Sequence, residues 1–133
     1  MATMREHPRG GCILVAEDDD DTRSEVRAVL EGQGYAVVEA RNGREALDIV
    51  FGDDAPDVRM VITDIYMPEM SGLELLNVLS AYYRPSQIPF VVVSVSPRRA
   101  SQPGVVGWLE KPFDIDALLA VVRPHVTPSR SQA

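Results

Sequence analysis

The 133-residue sequence contains a single cysteine, Cys12, so no internal disulfide can staple the chain. A lone thiol that opens an apolar run reads as a small buried hydrophobe rather than a reactive group. Histidine is almost as scarce: His7 and His125 both fall near the ends and carry no assigned role. Long hydrophobic runs are missing as well. Stretches such as Phe90 to Val95 are far shorter than the ~18 apolar residues a membrane span requires, and residues 1–11 lack the apolar centre of a signal peptide. No membrane association is expected, and a cytoplasmic location follows by default. Positive charge is in deficit, with 13 Lys and Arg against 20 Asp and Glu, and the net charge of -7 repels the phosphates of nucleic acids and anionic lipids. Nucleic acid is therefore not an expected partner.

What remains is ordinary folded protein. Hydrophobic residues make up 45% of the chain and charged residues 25%, which excludes a disordered or fibrous class, and the length suits one compact domain. Residues 1–11 and 124–133 are polar and carry proline or glycine, so both read as flexible tails around a domain over residues 12–123.

Within that domain apolar runs alternate with segments of helical period. Cys12 to Ala16 is a continuous apolar run of the kind a strand buried on both faces shows. Asp20 or Asp21 is the expected cap of a helix with Val26, Val29 and Leu30 on its inner side, ended by Gly32 and Gly34. Tyr35 to Ala40 reads as a second strand. Asn42-Gly43 opens a helix carrying Ala46, Leu47 and Val50, and Val58 to Thr63 is a third strand. Ser71 and Glu74 have the spacing of a capping box, which starts a helix burying Leu75, Leu76 and Leu79. Phe90 to Val93 and Val105 to Leu109 are further strands. Asp114 caps a last helix with Ile115, Leu118, Leu119 and Val122, stopped by Pro124. This alternation calls for a parallel sheet covered on both faces, in which ligands bind beyond the carboxyl ends of the strands.

The residues at those ends are Glu17 and Asp18, then Asp64, Ser94 and Lys111. Three carboxylates gathered in one shallow pocket repel one another unless a cation neutralises them, and Mg²⁺ suits an all-oxygen site held by a few carboxylates. Asp64 is then a candidate nucleophile, because carboxylates form aspartyl-phosphate intermediates. The Lys111 ammonium and the Ser94 hydroxyl are chemically suited to stabilise a phosphoryl group in transfer. A calcium loop of the EF-hand type does not fit the acidic run at residues 17–21, because no frame through it supplies the required glycine and glutamate.

Three segments carry a resemblance: Ile13-Leu14-Val15-Ala16-Glu17-Asp18-Asp19, Thr63-Asp64-Ile65-Tyr66-Met67-Pro68-Glu69-Met70-Ser71-Gly72 and Trp108-Leu109-Glu110-Lys111-Pro112-Phe113. In this order, each at a strand end, they resemble the receiver domains of two-component response regulators across about residues 12–123. The expected fold is α/β, a doubly wound five-stranded parallel sheet of flavodoxin-like order 2-1-3-4-5. The resemblance implies that Asp64 receives phosphate from a histidine kinase or phosphotransfer protein. It implies that Asp18, Asp64 and the Tyr66 backbone carbonyl ligate Mg²⁺, with Glu17 assisting through water, and that Ser94 and Lys111 contact the phosphoryl group. It also implies a cis Lys111-Pro112 peptide and a switch role for Ser94 and Trp108, the latter standing where the family normally has Tyr or Phe. Asp19 and Asp20 stay surface or capping residues.

Two departures from the family pattern stand out. Only Val95 to Gly104 separate the fourth and fifth strands, with Pro97 and Pro103 among them, whereas a crossover with a real helix needs at least ~10–12 residues. The fourth helix is therefore expected to be shortened or absent, which moves the expected output face to the exposed flank of strand five and the last helix. Val95 follows the strand-four hydroxyl where the family has a small residue. The overall expectation is a stand-alone regulator, monomeric or weakly dimeric, that signals to an unknown downstream protein and turns over no substrate beyond its own phosphorylation and dephosphorylation. A phosphohydrolase with an aspartate nucleophile would need a second aspartate two residues after Asp64, where Tyr66 stands. A receiver-like binding module working without phosphate is the alternative.

Overall fold

The computed structural model describes residues 11–96 and 102–128. The elements run β1 (Cys12–Ala16), α1 (Asp20–Gly32), β2 (Ala36–Ala40), α2 (Gly43–Val50), β3 (Val58–Thr63), α3 (Gly72–Ser80), β4 (Phe90–Ser94), β5 (Val105–Glu110) and α4 (Ile115–Val122). All strand pairs are parallel, and the sheet order is β2-β1-β3-β4-β5. This is the expected flavodoxin-like arrangement.

The period of two along each strand divides the core into two layers. Leu14, Ala16, Val61 and Phe90 face one side and pack with Ala46 and Val50 of α2 and Leu75, Leu76 and Leu79 of α3. Ile13, Val15, Ile62, Val91 and Val93 face the other, against Val26 and Leu30 of α1 and Leu118, Leu119 and Val122 of α4. Every residue of β1 and of β4 is buried, as continuous apolar runs in a doubly covered sheet require. Cys12 is 1% exposed, and burial, seconded by the nearby Asp57 charge, pushes its thiol up to about 11. It packs as the small hydrophobe the sequence indicated.

Among the described residues no helix lies between β4 and β5, and four helices flank the sheet; residues 97–101 of that link, Pro97 included, lie outside the described residues. Three details differ from the sequence reading. Helix α1 is capped by Asp19, one of the two acids kept as surface or capping residues, and not by Asp20 or Asp21: the Asp19 carboxylate accepts the Thr22 N–H at 2.9 Å and the Thr22 hydroxyl at 2.5 Å. Asp20 and Asp21 therefore fall inside the first turn, where negative charge meets the positive end of the helix dipole. Ile115 has the phase of the buried stripe of α4, yet it opens the first turn and is 47% exposed. The segment after α4 is docked rather than loose at its start, since the Val126 N–H donates to the Val122 carbonyl and its side chain is buried beside Tyr35. The capping box at Ser71 and Glu74 is present with both hydrogen bonds.

Candidate functional site

Parallel pairing brings the ends of β1, β3, β4 and β5 to one edge. The Asp64 N–H donates to the Ala16 carbonyl at 3.1 Å and the Glu17 N–H to the Ala40 carbonyl at 3.0 Å, so both acids leave the sheet from fixed backbone positions. Gly72 shapes the loop after β3: its N–H donates to the Ile65 carbonyl at 2.9 Å, and a Cβ there would lie 2.1 Å from the Asp64 carbonyl oxygen. Glu69 holds a left-handed backbone, φ 67°, within the same loop.

Lys111 reaches in from beyond β5. Its Nζ donates to Asp64 Oδ2 at 2.8 Å and to Glu17 Oε1 at 2.7 Å. The other oxygens are occupied by backbone donors, Asp64 Oδ1 by the Tyr66 N–H and Glu17 Oε2 by the Asp19 N–H, both at 3.1 Å. Glu17, Asp64 and Ser94 are all buried. Burial pushes the Glu17 carboxyl above its usual range, with the Lys111 bond opposing that rise. Burial alone would lower the Lys111 ammonium, but its bonds to Asp64 and Glu17 outweigh it and hold the group above its ordinary value. Lys111 is thus charged.

Asp18 is exposed at the rim, and one carboxylate oxygen from each of Glu17, Asp18 and Asp64 lies within 4.8 Å of the others. Three carboxylates against one ammonium leave negative charge that a divalent ion neutralises, and an all-oxygen donor set is the kind Mg²⁺ takes. The residues fit that ion. Ser94 Oγ adds a second mark of incompleteness: it is fully buried and has no hydrogen-bond partner among the described residues. An unpaired buried hydroxyl is costly unless something polar arrives to meet it. The Ser94 carbonyl accepts the Lys111 N–H at 2.9 Å, which ties β4 to the base of the lysine.

The structure therefore gathers Glu17, Asp18, Asp64 and Lys111 directly, with Ser94 at the end of the neighbouring strand. Tyr66 meets Asp64 through its N–H, and its side chain is 57% exposed. Trp108 is half-buried on the edge strand in register with Val92, two residues before Ser94. The Lys111-Pro112 peptide is cis. The sequence reading passed over Arg23, whose guanidinium donates to the Glu17 carbonyl at 2.8 Å. The available signal was a lone cation closing an acidic run, three residues after Asp20.

A doubly wound parallel sheet of order 2-1-3-4-5 with an acidic, lysine-bridged pocket at its carboxyl edge places the chain in the flavodoxin-like α/β class. Within it, the chain belongs to the response regulator receiver domain family, whose model matches residues 13–123. It is 39% identical over 116 residues to the response regulator MprA of Mycolicibacterium vanbaalenii, covering 84% of this chain and 48% of that protein. The chain thus spans about half the length of that relative. It is 35% identical over 121 residues to the two-component response regulator ORR5 of Oryza sativa subsp. japonica, covering 84% of this chain and 89% of the rice protein. Among solved structures, the receiver domain of the hybrid histidine kinase CckA is similar at a TM-score of 0.70 and 32% identity, over 88% of this chain and all of that one. The chemotaxis response regulator CheY4 of Vibrio cholerae matches at a TM-score of 0.70 and 26% identity, over 84% and 95%. Among the described residues no helix is long and apolar enough to cross a membrane.

Proposed function

We propose that this chain is a Mg²⁺-dependent phosphoacceptor whose nucleophile is Asp64, and that it signals by protein contact once phosphorylated. The observation that carries this reading is the Lys111 bridge between two buried carboxylates, with a third carboxylate within reach. That arrangement serves charge rather than packing, since buried acids are retained where their charge is used.

In the proposed reaction a carboxylate oxygen of Asp64 attacks the phosphorus of a phosphohistidine on a histidine kinase or phosphotransfer protein. The new bond is an acyl phosphate. The P–N bond breaks, its electron pair stays on the imidazole nitrogen, and that nitrogen takes a proton from solvent. Lys111 shifts its hydrogen bond from Asp64 Oδ2 to a phosphoryl oxygen, and the Ser94 hydroxyl gains there the acceptor it lacks. Glu17, Asp18, Asp64 and the Tyr66 carbonyl would hold Mg²⁺, which when bound neutralises charge on the phosphoryl oxygens. Trp108 and Ser94 are proposed to report the phosphorylated state. The exposed Val106 and Ile115, on β5 and at the start of α4, support an output face on that flank for a downstream protein.

Incubation with Mg²⁺ and a small phosphodonor is expected to add one phosphoryl mass that chelation prevents and Asp64→Asn abolishes. Intact-mass spectrometry reads this directly, and a wild-type protein with no mass shift would overturn the reading in favour of a module that works without phosphate. Val95, 63% exposed immediately after Ser94, bears on the return step. If its methyls restrict the approach of water, Val95→Ala shortens the lifetime of phosphorylated Asp64; an unchanged decay rate in a mass-resolved time course rejects that role.

A further inference from the structure

Arg23 sits in the first turn of α1 and its side chain is only 12% exposed, yet it belongs to neither core layer. Its planar fork makes three hydrogen bonds at once. Nη1 donates to the Glu17 carbonyl at 2.8 Å, Nε to Glu39 Oε1 on β2 at 2.8 Å, and Nη2 to Asp20 Oδ1 on α1 at 2.5 Å. Glu39 is itself fixed, because its second oxygen accepts from Arg27. That bond, opposed by partial burial and reinforced by Arg23, keeps the Glu39 carboxyl below its usual range. The guanidinium is therefore braced by Glu39 and Asp20 while it holds the Glu17 carbonyl.

The peptide that receives this brace is the one joining Glu17 to Asp18. Glu17 is held at its N–H by Ala40 and at its carbonyl by Arg23, and the Asp19 N–H that follows returns to Glu17 Oε2. Fixing that peptide fixes the directions in which two successive carboxylates leave the backbone. We propose that Arg23 is a positioning residue of the phosphoacceptor site, clamping the Glu17-Asp18 peptide so that both carboxylates converge with that of Asp64. This inference rests on the reading of Glu17, Asp18 and Asp64 as a Mg²⁺ site.

The sign of the effect separates positioning from charge. A cation beside a cation site repels the incoming ion, so if Arg23 acted only through its charge, removing it would tighten Mg²⁺ binding. A clamp predicts the reverse. Hydrogen-bonded supports behind metal ligands typically carry about tenfold or more in metal affinity, so Arg23→Gln is expected to raise the Mg²⁺ dissociation constant about tenfold. Arg23→Lys, which keeps the charge but loses the fork, should behave like Arg23→Gln rather than like the wild type. Glu39→Gln leaves Arg23 in place and weakens its brace; a rise smaller than that of Arg23→Gln is expected.

The experiment is titration calorimetry of MgCl₂ into the full chain and its three variants, joined by amide hydrogen exchange on the metal-free proteins. Faster exchange of the Asp19 N–H in Arg23→Gln, with the core of β1 and β3 unchanged, is the metal-independent sign of a released clamp. Tighter binding in Arg23→Gln, or wild-type affinity in Arg23→Lys, overturns the positioning role while leaving the Asp64 reading intact. A wild-type chain that takes up no Mg²⁺ overturns both. Should Arg23→Gln fail to fold, Glu39→Gln decides: unchanged affinity and unchanged Asp19 exchange there refute the clamp.

Discussion

Gly72→Ala is expected to destabilise the domain by about 3 kcal/mol, the upper end of the cost of forcing atoms into a filled space, and to lower the melting temperature by roughly 10 °C. The added methyl would stand 2.1 Å from the Asp64 carbonyl oxygen and 2.9 Å from Thr63 Oγ1. The nearer obstacle is backbone, so no rotamer change relieves it. The loop would have to open, parting the Gly72 N–H from the Ile65 carbonyl and carrying the backbone of Asp64 with it. Phosphoryl uptake should fall together with stability, because the displaced residue is the proposed nucleophile. Gly32→Ala is the control. Nothing lies within 4 Å of its added carbon, and alanine is the better helix former, so that variant should melt at or slightly above the wild-type temperature. Thermal melts of the two variants side by side check the account, and a Gly72→Ala protein that melts like Gly32→Ala refutes it.

Lys111→Met should cost about 3 kcal/mol in the presence of a chelator, because removing one partner leaves buried charge uncompensated. The Lys111 side chain is 15% exposed, and the carboxylates it bridges are 5% and 9% exposed, so solvent screens the bridge poorly. Glu17, already pushed upward by burial, would rise further and take up a proton, which sets a ceiling on the loss. The variant should also bind Mg²⁺ more tightly, since no ammonium competes for Glu17 and Asp64. Added Mg²⁺ is therefore expected to raise the melting temperature of Lys111→Met by more than it raises that of the wild type. Melts with chelator and with saturating Mg²⁺ test both halves. Equal metal-induced shifts in the two proteins would show that the bridge and the ion do not compete.

The strands are legible because a sheet covered on both faces needs continuous apolar runs, which Cys12–Ala16 and Phe90–Val93 supply and Val58–Thr63 interrupts only at the exposed Arg59. Their order alone puts Glu17, Asp18, Asp64, Ser94 and Lys111 on one edge. Where the sequence reading slipped, several residues of one chemical type stood side by side. Asp18 to Asp21 offer four consecutive carboxylates, any of which can cap a helix, and only backbone geometry selects Asp19. Ile115 fits the helical period, but period gives phase and not the depth at which a stripe begins. Val126 lies past a proline in a polar stretch, and its burial depends on the distant Tyr35, which no local pattern encodes. Arg23 is hidden for a similar reason, since Glu17 after β1 and Glu39 on β2 come together around it only in the folded chain.

The shortness of the link from β4 to β5 also bears on how the domain assembles. Ten residues, Val95 to Gly104, join the two strands, and Phe90 pairs with Val105 across that link. Closing a loop twice as long would cost only about 0.6 kcal/mol more in chain entropy, yet a helix in the link would also have to form and dock before the strands could meet. β4 and β5 are the parallel neighbours nearest in sequence, and low contact order favours early pairing. Substitutions in β5 should therefore slow refolding, whereas equally destabilising ones in β2 at the opposite edge should mainly speed unfolding. The short link thus gives the sheet a preferred end from which to grow.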